Sequence, residues 1–141
     1  MGGAVKDRLT IANETSHLLL VRDFMSRTIR QSSLPKEDEN RVVLAVDEAV
    51  SNIVEHGYDP GAQGTIEVEI DADETQFKII IRDMGRLFNP EAIPNPDVRE
   101  HVKKGQKRGL GLYIMRQIMD EVRYKFKDGV KNELTLVKYI R

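Results

Sequence analysis

Two neighbouring segments, 64–73 and 76–85, alternate apolar and polar residues with a period of two. The apolar members of each segment fall on one face of an extended chain: Ile66, Val68 and Ile70 in the first, and Phe77, Ile79 and Ile81 in the second. This alternation predicts two half-buried strands, and their short separation predicts an antiparallel hairpin. A sheet with one apolar face must bury that face against another layer.

Two helical patterns before these strands can supply the second layer. Residues 16–31 repeat apolar side chains at helical spacing, and these are Leu18, Leu19, Val21, Phe24, Met25 and Ile29. Pro35 follows the end of this pattern, and a second helix is predicted to run from there to Gly57. The core face of the second helix is predicted to consist of Val42, Val46, Ala49, Val50 and Ile53.

The remaining patterns complete the order β-α-α-β-β-loop-α-β-β. Residues 5–12 have the pattern of an edge strand, and residues 109–122 that of a helix that opens on glycines. A final hairpin turns around Gly129, and the polar, proline-rich segment 89–108 is too long for an ordinary loop. This order predicts an α+β fold, a two-layer sandwich in which a mostly antiparallel sheet packs against about three helices. The length of 141 residues predicts a single domain, 1–141.

Composition excludes several classes of function. The absence of cysteine excludes disulfides, thiol catalysis and cysteine-based zinc sites. A formal net charge of −1 gives no argument for direct binding to nucleic acid or to a membrane surface. No apolar run approaches the roughly 20 residues of a membrane helix, and the start of the chain lacks the pattern of a signal peptide. We therefore expect a soluble, cytoplasmic domain.

The second helix carries polar side chains away from its core face. Glu48 and Asn52 are four residues apart and therefore neighbours on one face, which Glu55 and His56 extend. A carboxylate at this position is a candidate general base, and the amide oxygen of Asn52 suits magnesium. An ordinary solvated helix face is the alternative explanation of this pattern.

Two further segments carry features of a ligand site. Asp83 at a strand end and Gly85 two residues later place a carboxylate at a turn that a ligand can approach closely. The segment GQKRGLGLYIM opens a helix on Gly109 and Gly111, whose backbone N–H groups can bind phosphate. Basic side chains nearby add positive charge, and these are Lys103, Lys104, Lys107 and Arg108. Taken singly, an ordinary turn and a glycine-rich loop beside a solvated basic run also explain these segments.

In combination and in this order, the three segments resemble the motifs of the GHKL ATPases, the group of gyrase B, MutL and the sensor histidine kinases. The E-x-x-x-N motif corresponds to Glu48–Asn52, the D-x-G motif to Asp83–Gly85 and the G-x-G motif to Gly109–Gly111. The resemblance extends over nearly the whole chain. Where the wider group continues the D-x-G motif to a second glycine, this chain has Arg86 followed by Leu87.

Within that group, the sequence is similar to the small bacterial anti-sigma factors that are also serine-protein kinases. The segments that carry this similarity are EAVSNIVEHGY (48–58), DMGRLFNP (83–90) and RGLGLYIM (108–115). The resemblance implies a Bergerat-type ATP-binding fold that uses ATP and Mg²⁺. It also implies that a segment at about 89–108 forms a lid over the nucleotide.

The resemblance assigns roles to individual residues. It implies that Glu48 is the base that takes the proton from an attacking hydroxyl, and that Asn52 coordinates Mg²⁺. It implies that Asp83 accepts a hydrogen bond from the adenine amino group and that Gly85 lets the base approach. The other residues implied to contact the nucleotide are Lys107, Arg108, Gly109, Leu110, Gly111 and Leu112.

The function implied by the resemblance is an ATP-binding anti-sigma regulatory factor with serine-protein kinase activity. Such a protein transfers the γ-phosphate of ATP to a serine of a STAS-type anti-sigma factor antagonist, holds a sigma factor as a second partner and forms a homodimer. Two alternatives are a non-catalytic, nucleotide-dependent binding module that regulates a partner protein, and an interaction domain with degenerate sites. The presence of Glu48 favours the kinase over the binding module, because a nucleotide switch needs no base.

Overall fold

The computed structural model describes residues 4–57, 64–85, 110–127 and 131–141. The strands are β1 (Val5–Ala12), β2 (Thr65–Ala72), β3 (Gln76–Asp83), β4 (Glu121–Lys127) and β5 (Lys131–Tyr139). The α-helices are α1 (Leu18–Gln31), α2 (Glu39–Asn52) and α3 (Leu110–Ile118). Short 3₁₀ turns lead into α1 and α2, and a π-helical turn, Ile53–Gly57, follows α2. The order of strands and helices is the predicted one.

The five strands form one sheet in the order β1-β2-β3-β5-β4. Every neighbouring pair is antiparallel, and the β3–β5 register places Asp83 opposite Asn132. The helices pack on one face of this sheet, which confirms the predicted α+β sandwich. Because β3 and β5 are adjacent, the end of β3 that carries Asp83 lies beside the start of β5 rather than at a free edge.

The core lies between the sheet and the helices. On β2 and β3 the predicted alternation is confirmed, since every predicted apolar residue is fully buried. On α2 four of the five predicted core residues are buried, and Ile53 packs partly buried against them. Most of the apolar residues that recur at helical spacing on α1 are buried, whereas Leu19 is 62% exposed. Leu19 lies two residues before the buried Val21, which places it about 200° around the helix from that residue.

The outer face of the sheet, which points away from these helices, carries a network of ion pairs. Arg82 on β3 donates to Glu67 at 2.7 Å, to Glu69 at 2.6 Å and to Glu133 at 2.9 Å. Arg8 on β1 lies 3.9 Å from Glu67 and 3.7 Å from Glu69. Cross-strand pairs of opposite charge stabilise a sheet face of this kind.

The third helix is shorter than the predicted 109–122. It ends at Ile118, whose carbonyl oxygen accepts a hydrogen bond of 3.0 Å from Lys138 Nζ on β5. The chain then joins the sheet, because the Asp120 N–H donates to the Val137 carbonyl oxygen at 2.9 Å. Val122 therefore lies in β4, where it pairs with Leu136. Pairing with β5 overrides the helical pattern at this point.

None of the helices within the described ranges is long and apolar enough to cross a membrane.

Candidate active site

Glu48 lies on α2 and is half-buried. Burial raises the pKa of its carboxyl group, and the nearby charges of Asp47 and Glu55 raise it further. Asp47 in turn pairs with Arg22 on α1, with nitrogen–oxygen distances of 2.9 and 3.1 Å, and this ion pair ties the two helices together. A carboxylate in such an environment is a better proton acceptor than an exposed one.

The Glu48 side chain extends to the start of α3. A Cβ atom placed on Gly111, the second residue of α3, would stand 2.6 Å from Glu48 Oε2. Only glycine leaves this space for the carboxylate without a shift of either residue. Because the first N–H groups of a helix have no partner within the helix, the carboxylate lies beside backbone groups that can bind an anion.

Asn52 is the last residue of α2 and follows Glu48 by one turn. Its side chain is half-buried and makes no hydrogen bond to any residue of the described ranges. The π-helical turn begins at the next residue. Glu55 lies in this turn, close enough for its charge to raise the pKa of Glu48.

Asp83 ends β3 on the face of the sheet that packs against the helices. Its side chain is 7% exposed, and burial raises the pKa of its carboxyl group. Two hydrogen bonds to Asp83 Oδ1 oppose that rise: the Gly85 N–H donates at 2.8 Å and Asn132 Nδ2 donates at 3.1 Å. The turn after β3 is thus closed by Asp83 itself, as an Asx-type turn.

Asn132 contacts two of the predicted site residues, and the sequence reasoning missed it. It is the second residue of β5, is 4% exposed, donates to Asp83 Oδ1 and also donates to the Gly85 carbonyl oxygen at 3.2 Å. The sequence does carry a signal for it. Asn132 stands two residues before Leu134 and four before Leu136, and this period of two places a polar residue on the core face of the strand. Recognising its role also required the β3–β5 register, which local patterns do not determine.

Comparison with known proteins identifies the family of this fold and site. The family model described as "Histidine kinase-like ATPase domain" matches residues 11–138. The chain belongs to this family. Several named proteins are similar to this chain over most of their own length.

These relatives carry one name, serine-protein kinase RsbW. The protein of Staphylococcus aureus (strain MSSA476) is 28% identical over 138 residues, which cover 94% of this chain and 86% of the relative. That of Bacillus velezensis is 29% identical over 136 residues, covering 94% and 84%. That of Staphylococcus epidermidis is 30% identical over 131 residues, covering 89% and 80%.

The described residues include several of the predicted site residues. The structure brings Glu48 to Gly111, and Asp83 to Gly85. Leu112 is 1% exposed and belongs to the core, so its backbone is the part that can contact a ligand. Of the other predicted nucleotide contacts, Leu110 begins α3. Three more, Lys107, Arg108 and Gly109, lie outside the described residues, and so does the predicted lid, 89–108.

Proposed function

We propose that this chain is an ATP-dependent serine-protein kinase that transfers the γ-phosphate of ATP to a serine hydroxyl of a partner protein. The name of the relatives supports the reaction class. The observation that carries the proposal is the approach of Glu48 Oε2 to the backbone of Gly111. This approach supports the proposal because a candidate general base then lies beside a helix start, whose backbone N–H groups can bind phosphate.

Glu48 acts on the acceptor serine in this proposal. Its half-buried carboxylate accepts the proton of the serine hydroxyl while the hydroxyl oxygen forms a bond to the γ-phosphorus of ATP. The bond between the γ-phosphorus and the bridging oxygen breaks, and ADP leaves with that oxygen. Burial raises the pKa of Glu48, which strengthens it as a proton acceptor.

The first turn of α3 holds the phosphates. Its first N–H groups and the positive end of the helix dipole favour anions, and Gly111 leaves room for the Glu48 carboxylate beside this turn. We expect Lys107, Arg108 and Gly109, just before this turn in the sequence, to contribute positive charge and further backbone contacts.

Asn52 fits a magnesium ligand. Its amide is half-buried, lies one helical turn from Glu48 and is not engaged by any other described side chain. Within the described ranges no group of three or more acidic or histidine side chains gathers to hold a metal. This agrees with Mg²⁺, which proteins bind through one or two ligands together with substrate phosphates. When bound, the ion supplies charge neutralisation to the phosphates.

Asp83 receives the adenine base in this proposal. One of its oxygens is held by Gly85 and Asn132, and the carboxylate lies at the end of a strand, on the helix-facing side of the sheet. A fixed, largely buried acceptor is suited to the amino group of adenine, because burial makes an unmatched partner costly.

The resemblance to the anti-sigma kinases supplies the finer part of the proposal. The phosphorylated partner is a STAS-type anti-sigma factor antagonist, a sigma factor is the second partner, and the chain acts in the cytoplasm as a homodimer. One domain, 1–141, carries all of these activities.

The decisive experiment is a calorimetric titration of ATP and ADP, with and without Mg²⁺, into the wild-type chain and into Asn52→Ala. We expect Mg²⁺-dependent binding that is lost in the variant. The wild type is then incubated with ATP labelled on the γ-phosphate and with purified STAS-type antagonists. Absence of nucleotide binding in the wild type would contradict the proposal, and binding without any transfer would favour the non-catalytic binding module.

A further inference from the structure

A hydroxyl group on β4 controls the orientation of the Asn132 amide. Tyr124 lies on β4, and its hydroxyl donates a hydrogen bond to Asn132 Oδ1. This contact turns the NH₂ group of Asn132 toward Asp83 Oδ1, to which it donates at 3.1 Å. After rotation by half a turn, the amide oxygen would face the carboxylate, and two acceptors would be in contact without a proton between them.

The same NH₂ group also fixes the turn that follows β3. It donates to the carbonyl oxygen of Gly85 at 3.2 Å, while the N–H of Gly85 donates to Asp83 Oδ1 at 2.8 Å. Asp83, Gly85 and Asn132 therefore form a closed set of hydrogen bonds, and Tyr124 sets its direction from the far side. Both ends of the Asn132 amide are engaged.

This arrangement makes the two oxygens of Asp83 unequal. Oδ1 accepts two hydrogen bonds, whereas no residue within the described ranges donates to Oδ2. A guanine base presents two adjacent donors, its N1–H and its 2-amino group, which match a carboxylate with both oxygens available. An adenine base presents one amino group, which matches a carboxylate with one available oxygen.

We propose that Tyr124 and Asn132 are positioning residues that hold Asp83 with a single oxygen available, and that they thereby set the preference of the site for adenine over guanine nucleotides. This inference rests on the proposed function, because it assumes that Asp83 receives the base of the nucleotide. Tyr124 acts only through Asn132, and Asn132 acts through Asp83. Loss of the Tyr124 hydroxyl removes the contact that holds the amide oxygen, which weakens the donation from Asn132 and leaves Oδ1 more available to a ligand.

The test compares ATP and GTP affinities by calorimetric titration in the presence of Mg²⁺. Tyr124→Phe removes only the hydroxyl group, and Tyr139→Phe is the matched control, because the Tyr139 hydroxyl donates to Glu121 on the exposed surface. We expect Tyr124→Phe to lower the ratio of ATP to GTP affinity by about 3- to 10-fold, the effect of one side-chain hydrogen bond. Tyr139→Phe should keep the wild-type ratio.

A double-mutant cycle shows whether Tyr124 acts through Asn132. In an Asn132→Ala background, Tyr124→Phe should change the ratio no further, whereas two independent effects would add. If the folded Tyr124→Phe variant keeps the wild-type ratio of ATP to GTP affinity, the inference is overturned, whatever the Asn132 variants show. If the wild type binds neither nucleotide, the proposed function itself is wrong, and the inference falls with it.

Discussion

Glu48 Oε2 occupies the space that a Cβ atom on Gly111 would need, since the two positions are 2.6 Å apart. The Cδ and Cβ atoms of Glu48 lie 3.4 and 3.5 Å from the same position, which is ordinary van der Waals contact. Glycine at the second position of α3 therefore leaves the space in which the carboxylate stands.

We predict that Gly111→Ala separates stability from activity. The methyl group displaces the Glu48 carboxylate, which lies at the end of a flexible side chain, and alanine is favoured over glycine in a helix by about 1 kcal/mol. The midpoint of thermal unfolding should stay the same or rise. Phosphotransfer to an antagonist protein should fall by about 100-fold, the effect of a misplaced reacting group.

Glu48→Asp is the control for that variant, because its shorter side chain leaves room for the methyl group. If the clash causes the loss, adding Gly111→Ala to Glu48→Asp should reduce phosphotransfer much less than adding it to the wild type. Wild-type rates of phosphotransfer in the single variant Gly111→Ala would show that the position of Glu48 is unimportant.

Glu48→Gln is predicted to abolish catalysis while leaving nucleotide binding intact. Glutamine keeps the shape of the side chain but cannot accept the serine proton, and a general base contributes about 10²- to 10⁴-fold to the rate. Single-turnover phosphotransfer should fall by that factor, and the ATP dissociation constant should change only a few-fold. Undiminished transfer would mean that another group is the base, whereas a loss of ATP binding would mean that Glu48 holds the nucleotide.

The same substitution is predicted to change the dependence of stability on pH. The pKa of Glu48 is raised in the folded chain, chiefly by burial, so its contribution to stability is fully present below its ordinary pKa and is lost as the pH rises through the folded value. Glu48→Gln should therefore unfold at a higher urea concentration than the wild type at pH 7. The difference should disappear in acid. Glu74→Gln, on the exposed β2–β3 loop, should show neither effect.

The strands and the buried face of α2 could be predicted from the sequence because their periodicity is a local property. Contacts between segments that are distant in the sequence could not be predicted in this way. The hydrogen bond between Asp83 and Asn132 joins residues 49 positions apart, and it depends on the β3–β5 register. The early end of α3 depends on the same strand, because Lys138 on β5 binds the Ile118 carbonyl.

The sequence predicted the candidate site as three separate motifs. The structure adds the contacts between those of their residues that it describes. Glu48 and Gly111 were each chosen for a separate reason, a carboxylate on a helix face and a glycine at a helix start. Their contact follows only from the packing of α2 against α3. Leu19 is one of the apolar residues that recur at helical spacing on α1, but its angular position exposes it.

Asp83→Asn is predicted to weaken ATP binding without lowering stability at neutral pH. Asparagine retains an oxygen that can accept from Gly85 and Asn132, and it removes a carboxylate whose pKa burial raises. Loss of a charged acceptor for the adenine amino group should weaken ATP binding by about 10- to 150-fold. Asp71→Asn, whose carboxylate is 42% exposed, is the control. Equal ATP affinity in both variants would remove Asp83 from the nucleotide site.

Arg82 is predicted to stabilise the outer face of the sheet far more than Arg8. The Arg82 side chain is 20% exposed and donates to three glutamates at 2.6–2.9 Å, whereas Arg8 is 60% exposed and lies at 3.7–3.9 Å from two of them. Arg82→Met leaves three neighbouring carboxylates without their shared partner. It should lower the free energy of unfolding by about 1–3 kcal/mol, between the effects of exposed and buried pairs.

Urea denaturation of Arg82→Met and of the control Arg8→Met measures this difference, and the control should lie within about 0.5 kcal/mol of the wild type. The pH dependence should run opposite to that of Glu48. Hydrogen bonding to Arg82 lowers the pKa of Glu69, so this stabilisation is present at neutral pH and is lost as the pH falls through the folded pKa. Equal losses in the two variants would show that the outer face is held by general surface charge and not by the Arg82 contacts.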